Sequence, residues 1–228
     1  MPIRLPGLVL GLLFGFDAAA EPYSVPVDSD YPKNVYWGDT HLHTRNSADA
    51  YSLGNLNLTP ADAFRFAQGR ELIAHNGMRV QLRRPLDFLV VSDHAEYLGG
   101  FYRFNINDPL VQGTDAADKW QGFVDAGETA KVYATFVASM QDPENNPALP
   151  ESTRRTIWED VALTADEHNK PGQFTAFTGY EWTSMINGNN LHRVVVYRDS
   201  ADKAKQLPPF SAQDSLDPRE LWKALARY

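Results

Sequence analysis

The sequence predicts an α/β fold with a largely parallel sheet. Three observations carry that expectation. Short apolar runs alternate with longer amphipathic ones, the order of strand–helix units. The run Asp87-Phe88-Leu89-Val90-Val91 has almost no polar alternation, as strands covered on both faces tend to read. The 228 residues, 43% hydrophobic and 22% charged, suffice for a sizeable core and exclude a mostly disordered chain.

Residues 1–20 read as a secretory signal. Arg4 supplies the positive start, Leu5 to Phe16 an apolar run, and Ala18-Ala19-Ala20 a cleavage site. The run is shorter than the ~20 residues of a spanning helix. The expectation is therefore cleavage near Ala20, a secreted or periplasmic protein, and no stable membrane anchor. Residues 21–33 form a leader, and 34–228 form the domain. Val35-Tyr36-Trp37 reads as a first strand ended by Gly38. Thr59-Pro60-Ala61-Asp62 opens a helix, with Thr59 as cap and proline in the first turn, and the helix should stop at Gly69. Glu71–Ala74 and Met78–Leu82 flank Asn76-Gly77 and predict a hairpin with a primed turn. Residues 87–91 form the second main strand. Residues 116–140 and 152–168 predict helices; in the second, Ile157, Val161, Ala165 and His168 share one face. Phe174–Gly179 and Val194–Tyr197 are the third and fourth strands, and Asp217-Pro218-Arg219-Glu220 opens a last helix.

The net charge of −8 argues against nucleic-acid binding, which needs clustered Lys and Arg. With no cysteine, any metal must sit on His, Asp or Glu. The first strand runs into Gly38-Asp39-Thr40-His41-Leu42-His43, where residues two apart point the same way. His41 and His43 can therefore converge on one ion, with Asp39 on the same side and Asp49 nearby. The second strand runs into Ser92-Asp93-His94, the third into Tyr180-Glu181-Trp182, and His192 precedes the fourth. Imidazole and carboxylate are the donors that Zn, Mn and Fe accept without thiolate. Four of the six histidines thus collect at strand–loop junctions. The other two have ordinary readings: His75 as a solvated hairpin residue, and His168 as a helix-end residue suited to the dipole. Tyr180 and Trp182 alternate with Glu181 and read as core.

The order H-x-H, then Asp-His after an apolar strand, then Glu, then His resembles the polymerase and histidinol phosphatase (PHP) superfamily. More closely, residues 38–44, 84–99, 179–183 and 190–193 resemble the PHP-like proteins grouped as domain-of-unknown-function family 3604. The resemblance covers about residues 31–228. It implies a distorted (β/α)7 barrel, two or three divalent metal ions (Zn, Mn or Fe) at its rim, and hydrolysis of a small-molecule phosphate ester. Carried over by position, His41 and His43 ligate one metal, Glu181 bridges it to a second held by His192, and Asp49 and His94 serve a third. Glu181 and Asp93 are the carboxylates assigned to catalysis, while Asp39 and Asp93 orient imidazoles. Arg45 and Arg193 flank ligands and are candidates for binding a phosphate oxygen. The superfamily also takes ligands from later strands, and no histidine follows His192, so the resemblance implies an N-terminal portion of a longer chain.

The expected function is an exported metal-dependent phosphoesterase using a hydroxide held between metals, with no protein nucleophile. Two alternatives are hydrolysis of amide or lactone bonds by the same metals, and a non-catalytic metal- or ligand-binding module. The sequence specifies no oligomeric state.

Overall fold

A computed structural model describes residues 32–142 and 146–228. The expected signal and most of the expected leader lie outside the described residues. Residues 32–35 are exposed and without regular structure. Tyr36–Tyr228 form one compact unit.

The main sheet has four strands: β1 (Gly38–Leu42), β4 (Phe88–Val91), β5 (Thr175–Ser184) and β6 (Leu191–Val196), in spatial order β1-β4-β5-β6. It curls as half of a barrel. The β1–β4 and β4–β5 pairs are parallel. The central strand β4 has Leu89, Val90 and Val91 all buried, which is what its unbroken apolar run predicts. The fourth strand departs from expectation: β6 is antiparallel to β5, pairing Glu181 with Val194 and Thr183 with His192. The short polar segment between them can make a hairpin, whereas a parallel partner needs a crossover of a dozen or more residues.

The first strand is also shifted. Gly38 begins β1 rather than ending a strand. It lies opposite Phe88, where a Cβ would come within 2.4 Å of the Phe88 carbonyl oxygen, so glycine here permits close strand approach. Before it, Trp37 and Asp87 exchange hydrogen bonds: Trp37 N–H to the Asp87 carboxylate and Asp87 N–H to the Trp37 carbonyl, each 2.7 Å. The exposed apolar triplet is thus tethered beside the sheet without belonging to it.

Two short helices, α1 (Ala48–Ser52) and α2 (Pro60–Ala67), follow β1. The expected cap of α2 is present in full: Thr59 Oγ1 accepts from Asp62 N, and the Asp62 carboxylate accepts from Thr59 N at 2.9 Å. The small hairpin is β2 (Leu72–Ile73) and β3 (Arg79–Val80). Its turn is not primed. Gly77 is left-handed (φ 84°) and Asn76 is not, and Gly77 N–H closes on the Ala74 carbonyl. The loop is therefore an ordinary four-residue turn whose last residue is the left-handed glycine.

The expected helix over 116–140 is two: α4 (Asp115–Asp125) and α5 (Thr129–Ser139), broken at Gly127 (φ 67°). A further helix, α3 (Gly100–Asn105), precedes them. The long helix α6 (Glu151–His168) buries Ile157, Val161 and Ala165, the stripe its period predicts. The chain then adds α7 (Ala201–Ala204) and α8 (Pro218–Leu225). Trp120, Trp158, Trp182, Tyr97, Phe101 and Phe136 belong to the larger apolar core. A smaller core joins Phe64, Leu89, Val91 and Phe174.

Candidate metal centre

The site is built where β1, β4 and β5 deliver their polar residues. In the β1–β4 register Asp39 faces Leu89 and Leu42 faces Val91, so β1 carries one extra residue between them. The bulge is fixed by Asp39, whose carboxylate accepts the His41 backbone N–H at 2.8 Å. It aims His41 and, one residue beyond the strand, His43 at the same carboxylate. That carboxylate is Glu181, fully buried in the middle of β5. Beyond the end of β4, His94 bridges in parallel to Glu181: Glu181 N–H bonds the Asp93 carbonyl, and Ala95 N–H the Glu181 carbonyl. His192 enters from β6, opposite Thr183.

Four imidazole nitrogens surround Glu181. His41 Nε2, His43 Nε2 and His94 Nδ1 lie 3.1, 2.9 and 3.6 Å from Oε2, and His192 Nδ1 lies 2.6 Å from Oε1. Yet the buried atoms His43 Nε2 and Glu181 Oε1 have no hydrogen-bond partner. They are close to their neighbours and off the line that a hydrogen bond requires. His41 Nε2 is within hydrogen-bonding geometry of Glu181 Oε2, whereas the other three nitrogens converge on the carboxylate without hydrogen-bonding it, an arrangement that could hold a cation.

The outer ring supports this. His43 Nδ1 lies 2.9 and 3.0 Å from the two Asp49 oxygens. A carboxylate only accepts, so Nδ1 carries a proton, and in the neutral ring Nε2 would hold the lone pair. A carboxylate so placed orients the ring as it would be oriented for a metal at Nε2. Ser47 bonds Asp49 at 2.6 Å and receives the His94 backbone N–H at 3.2 Å, locking the first loop to the second. Thr183 Oγ1 touches both His94 Nδ1 (3.0 Å) and His192 Nδ1 (2.9 Å). A hydroxyl has one proton and can donate to only one of them. Glu96, fully buried, accepts from Ala212 N at 2.7 Å and presents its other oxygen 3.5 Å from His94 Nδ1.

Electrostatics follow. Burial would lower the His43 pKa, but Asp49 and Glu181 outweigh it and push it up to about 10. Burial opposes ionisation of Glu181, and the surrounding histidines overcome it, holding the carboxyl at about 2. Asp49 is held well below the usual carboxylate range by His43 against the same penalty. Without a metal, protons therefore take the place of cations between these groups. Asp93 differs: complete burial drives it up to about 6, although Thr44 N–H and Oγ1 both donate to it.

Three overlapping donor groups result: His41, His43 and Glu181; His43, Asp49 and His94; and His94, Glu181 and His192. A neutral imidazole has one lone pair, and His43 directs its own away from Asp49. The geometry therefore fits cations in the first and third groups, with Asp49 behind His43.

Other expected site residues fall elsewhere. The carboxylates of Asp39 and Asp93 bond the backbone of His41 and the Thr44 N–H and hydroxyl rather than an imidazole, so they hold loops rather than rings. Arg45 stacks over the Tyr102 ring at 3.6 Å, and Arg193 bonds the carbonyl of its neighbour His192. His75 is exposed, and His168 bonds Thr164 and stacks on Phe64. Tyr180 and Trp182 are core residues. Ser47, Glu96 and Thr183 are the site residues that sequence reasoning passed over. Glu96 lies two residues after His94, and Thr183 two after Glu181, which is the one available signal.

A cleft of about 230 Å³ opens beside the histidines. Asp49, His94, Thr183, Asn190 and His192 supply its polar lining, and α5 contributes Tyr133, Phe136 and Val137.

Among curated proteins and among solved structures, no match is found. A family model described as a protein of unknown function (DUF3604) matches residues 30–228. With the whole compact unit matched, the chain belongs to the DUF3604 family.

Proposed function

We propose that this chain is an exported metal-dependent hydrolase acting on phosphate esters. The observation that carries the reading is the ring of imidazole nitrogens around Glu181, with His43 Nε2 and Glu181 Oε1 buried and unpaired. Buried polar atoms in native proteins are almost always satisfied, and here a cation is the partner that satisfies several at once. The resemblance to the PHP superfamily and the curled sheet support the same reading, with the sheet as part of a (β/α)7 barrel.

His41, His43 and Glu181 would hold one divalent ion, and His94, Glu181 and His192 a second, with Zn, Mn or Fe suited to such donors. When bound, such ions acidify a coordinated water and neutralise charge on phosphoryl oxygens. The chain's own residues do the rest. Glu181 sets the separation of the two donor groups. Asp49 and Ser47 fix the tautomer and tilt of His43. Asp93 and Thr44 anchor the loop after β1, and Glu96 holds Ala212 N–H behind His94. His192, half-exposed at the cleft, places the second donor group at the edge that faces the substrate.

The test combines metal content with turnover. The purified full chain, loaded with Zn or Mn, should retain about two ions and hydrolyse a 4-nitrophenyl phosphate ester, and chelation should abolish turnover. Two ions with no turnover on any phosphate ester, amide or lactone would leave only the non-catalytic metal-binding module. No retained metal would overturn the proposal.

A further inference from the structure

The cleft beside the histidines has two unlike walls. The α5 wall is apolar: Tyr133, Val137 and Met140 lie at i, i+4 and i+7 on one helix face, with Phe136 beside them. Met185, after β5, closes the apolar side. Tyr133 is 39% exposed at the mouth, while Phe136 and Met140 are buried at the floor. None of the described lining residues is Lys or Arg.

The charge balance points the same way. Asp49, Asp93, Glu96 and Glu181 stand in or directly behind the cluster. Two divalent ions would offset these four carboxylates and leave little positive charge to spare. Arg45 and Arg193, the nearest sequence candidates for an anion clamp, are engaged elsewhere. Apart from the Tyr133 hydroxyl and Asn190, the neutral lining beside α5 is apolar, so the several charges of a nucleoside polyphosphate would meet no cationic side chain there. Unpaired polar groups in such a place are costly.

Resting on the hydrolase reading above, we infer that the substrate is a singly charged phosphoric diester bearing an aryl group, and that the α5 wall is the subsite for the ring. The size fits: a cavity of roughly 150 Å³ takes a benzene molecule, and the cleft is about 230 Å³. The phosphoryl group then lies against His94 and His192, and the ring against Val137, Phe136 and Tyr133. In the reaction a P–O bond forms to a water oxygen and the P–O bond to the aryloxy group breaks. One water proton leaves on the phenol, and the other ionises to solvent from the resulting phosphoric monoester.

The experiment uses the full chain loaded with Mn. Calorimetry should show diphenyl phosphate binding at least about tenfold more tightly than dimethyl phosphate. Bis(4-nitrophenyl) phosphate should be turned over with a kcat/KM at least about tenfold above that for glycerol 3-phosphate. Tyr133→Ala should raise KM for the aryl diester several-fold with little change in kcat. Val137→Trp should fill the cleft and abolish the preference for diphenyl over dimethyl phosphate. Equal binding of the two diesters, or glycerol 3-phosphate turned over as well as the aryl diester, overturns this inference and leaves the hydrolase reading intact. Preferential diphenyl phosphate binding without any turnover supports the subsite and removes the hydrolase reading.

Discussion

Glu181 is the residue on which the site turns. It is buried among four histidines, and each of the two favoured donor groups includes it. Replacing it with Gln removes the negative charge and turns one metal-binding oxygen into an N–H that cannot ligate a cation. Glu181→Gln should lower metal affinity by more than about 100-fold, beyond the 10–100-fold typical of outer-shell changes, and abolish hydrolysis; His75→Ala should change neither. Metal titration followed by turnover checks both. A Gln variant that retains its ions would remove Glu181 from the centre. At this scale His41, His43, Asp49, His94, Glu181 and His192 were legible in the sequence, because without cysteine only His, Asp and Glu remain as ligands, and they stand next to strands. Ser47, Thr183 and Glu96 were not. Serine, threonine and glutamate have many ordinary uses, and their roles arise only when β5 pairs with β6 and the loop after β4 folds back. Arg45 shows the converse: adjacency in sequence to a ligand did not place its guanidinium at the site.

Local elements decide where these residues point. The bulge in β1 and the close approach of Gly38 to Phe88 bring His41 and His43 together. Gly179 has a similar task in β5, where a Cβ would meet the Val195 carbonyl oxygen at 2.8 Å. The capping box of α2 offers an independent stability test away from the metal. Partial burial disfavours ionised Asp62, but the Thr59 donors and Arg65 outweigh it and hold its carboxyl below its ordinary value of 3.8. A carboxyl so lowered stabilises the fold above that ordinary value and loses the contribution as pH falls through its folded pKa. Asp62→Ala should therefore cost about 1 kcal/mol at pH 7, and the gap to the parent should close in acid below about pH 3.8. Urea melts at both pH values measure it; a gap independent of pH would show that the carboxylate charge contributes nothing. The helix was readable because Thr-Pro-Ala-Asp is a local signal. The antiparallel turn into β6 and the break at Gly127 were harder, since hydropathy marks a strand without its direction, and one glycine in a helical run carries little weight against the periodicity.

At the scale of the whole molecule, an α/β sheet collects polar donors from distant parts of the chain at one place. Residues 41, 94, 181 and 192 meet because β4 lies between β1 and β5, and because β6 returns beside β5. The α/β class followed from alternation and from the apolar run of β4; the sheet order needed coordinates, because pairing depends on long-range contacts that no local pattern encodes. On the proposed function, this convergence exists to hold cations. Crystals of the full chain grown with Mn, and measured at its absorption edge, test it most directly. Anomalous density is expected within roughly 2.0–2.3 Å of His43 Nε2, His41 Nε2 and Glu181, with a second peak at His94 and His192. Rings and carboxylate in the positions described here, at saturating Mn and with no anomalous density between them, would contradict it.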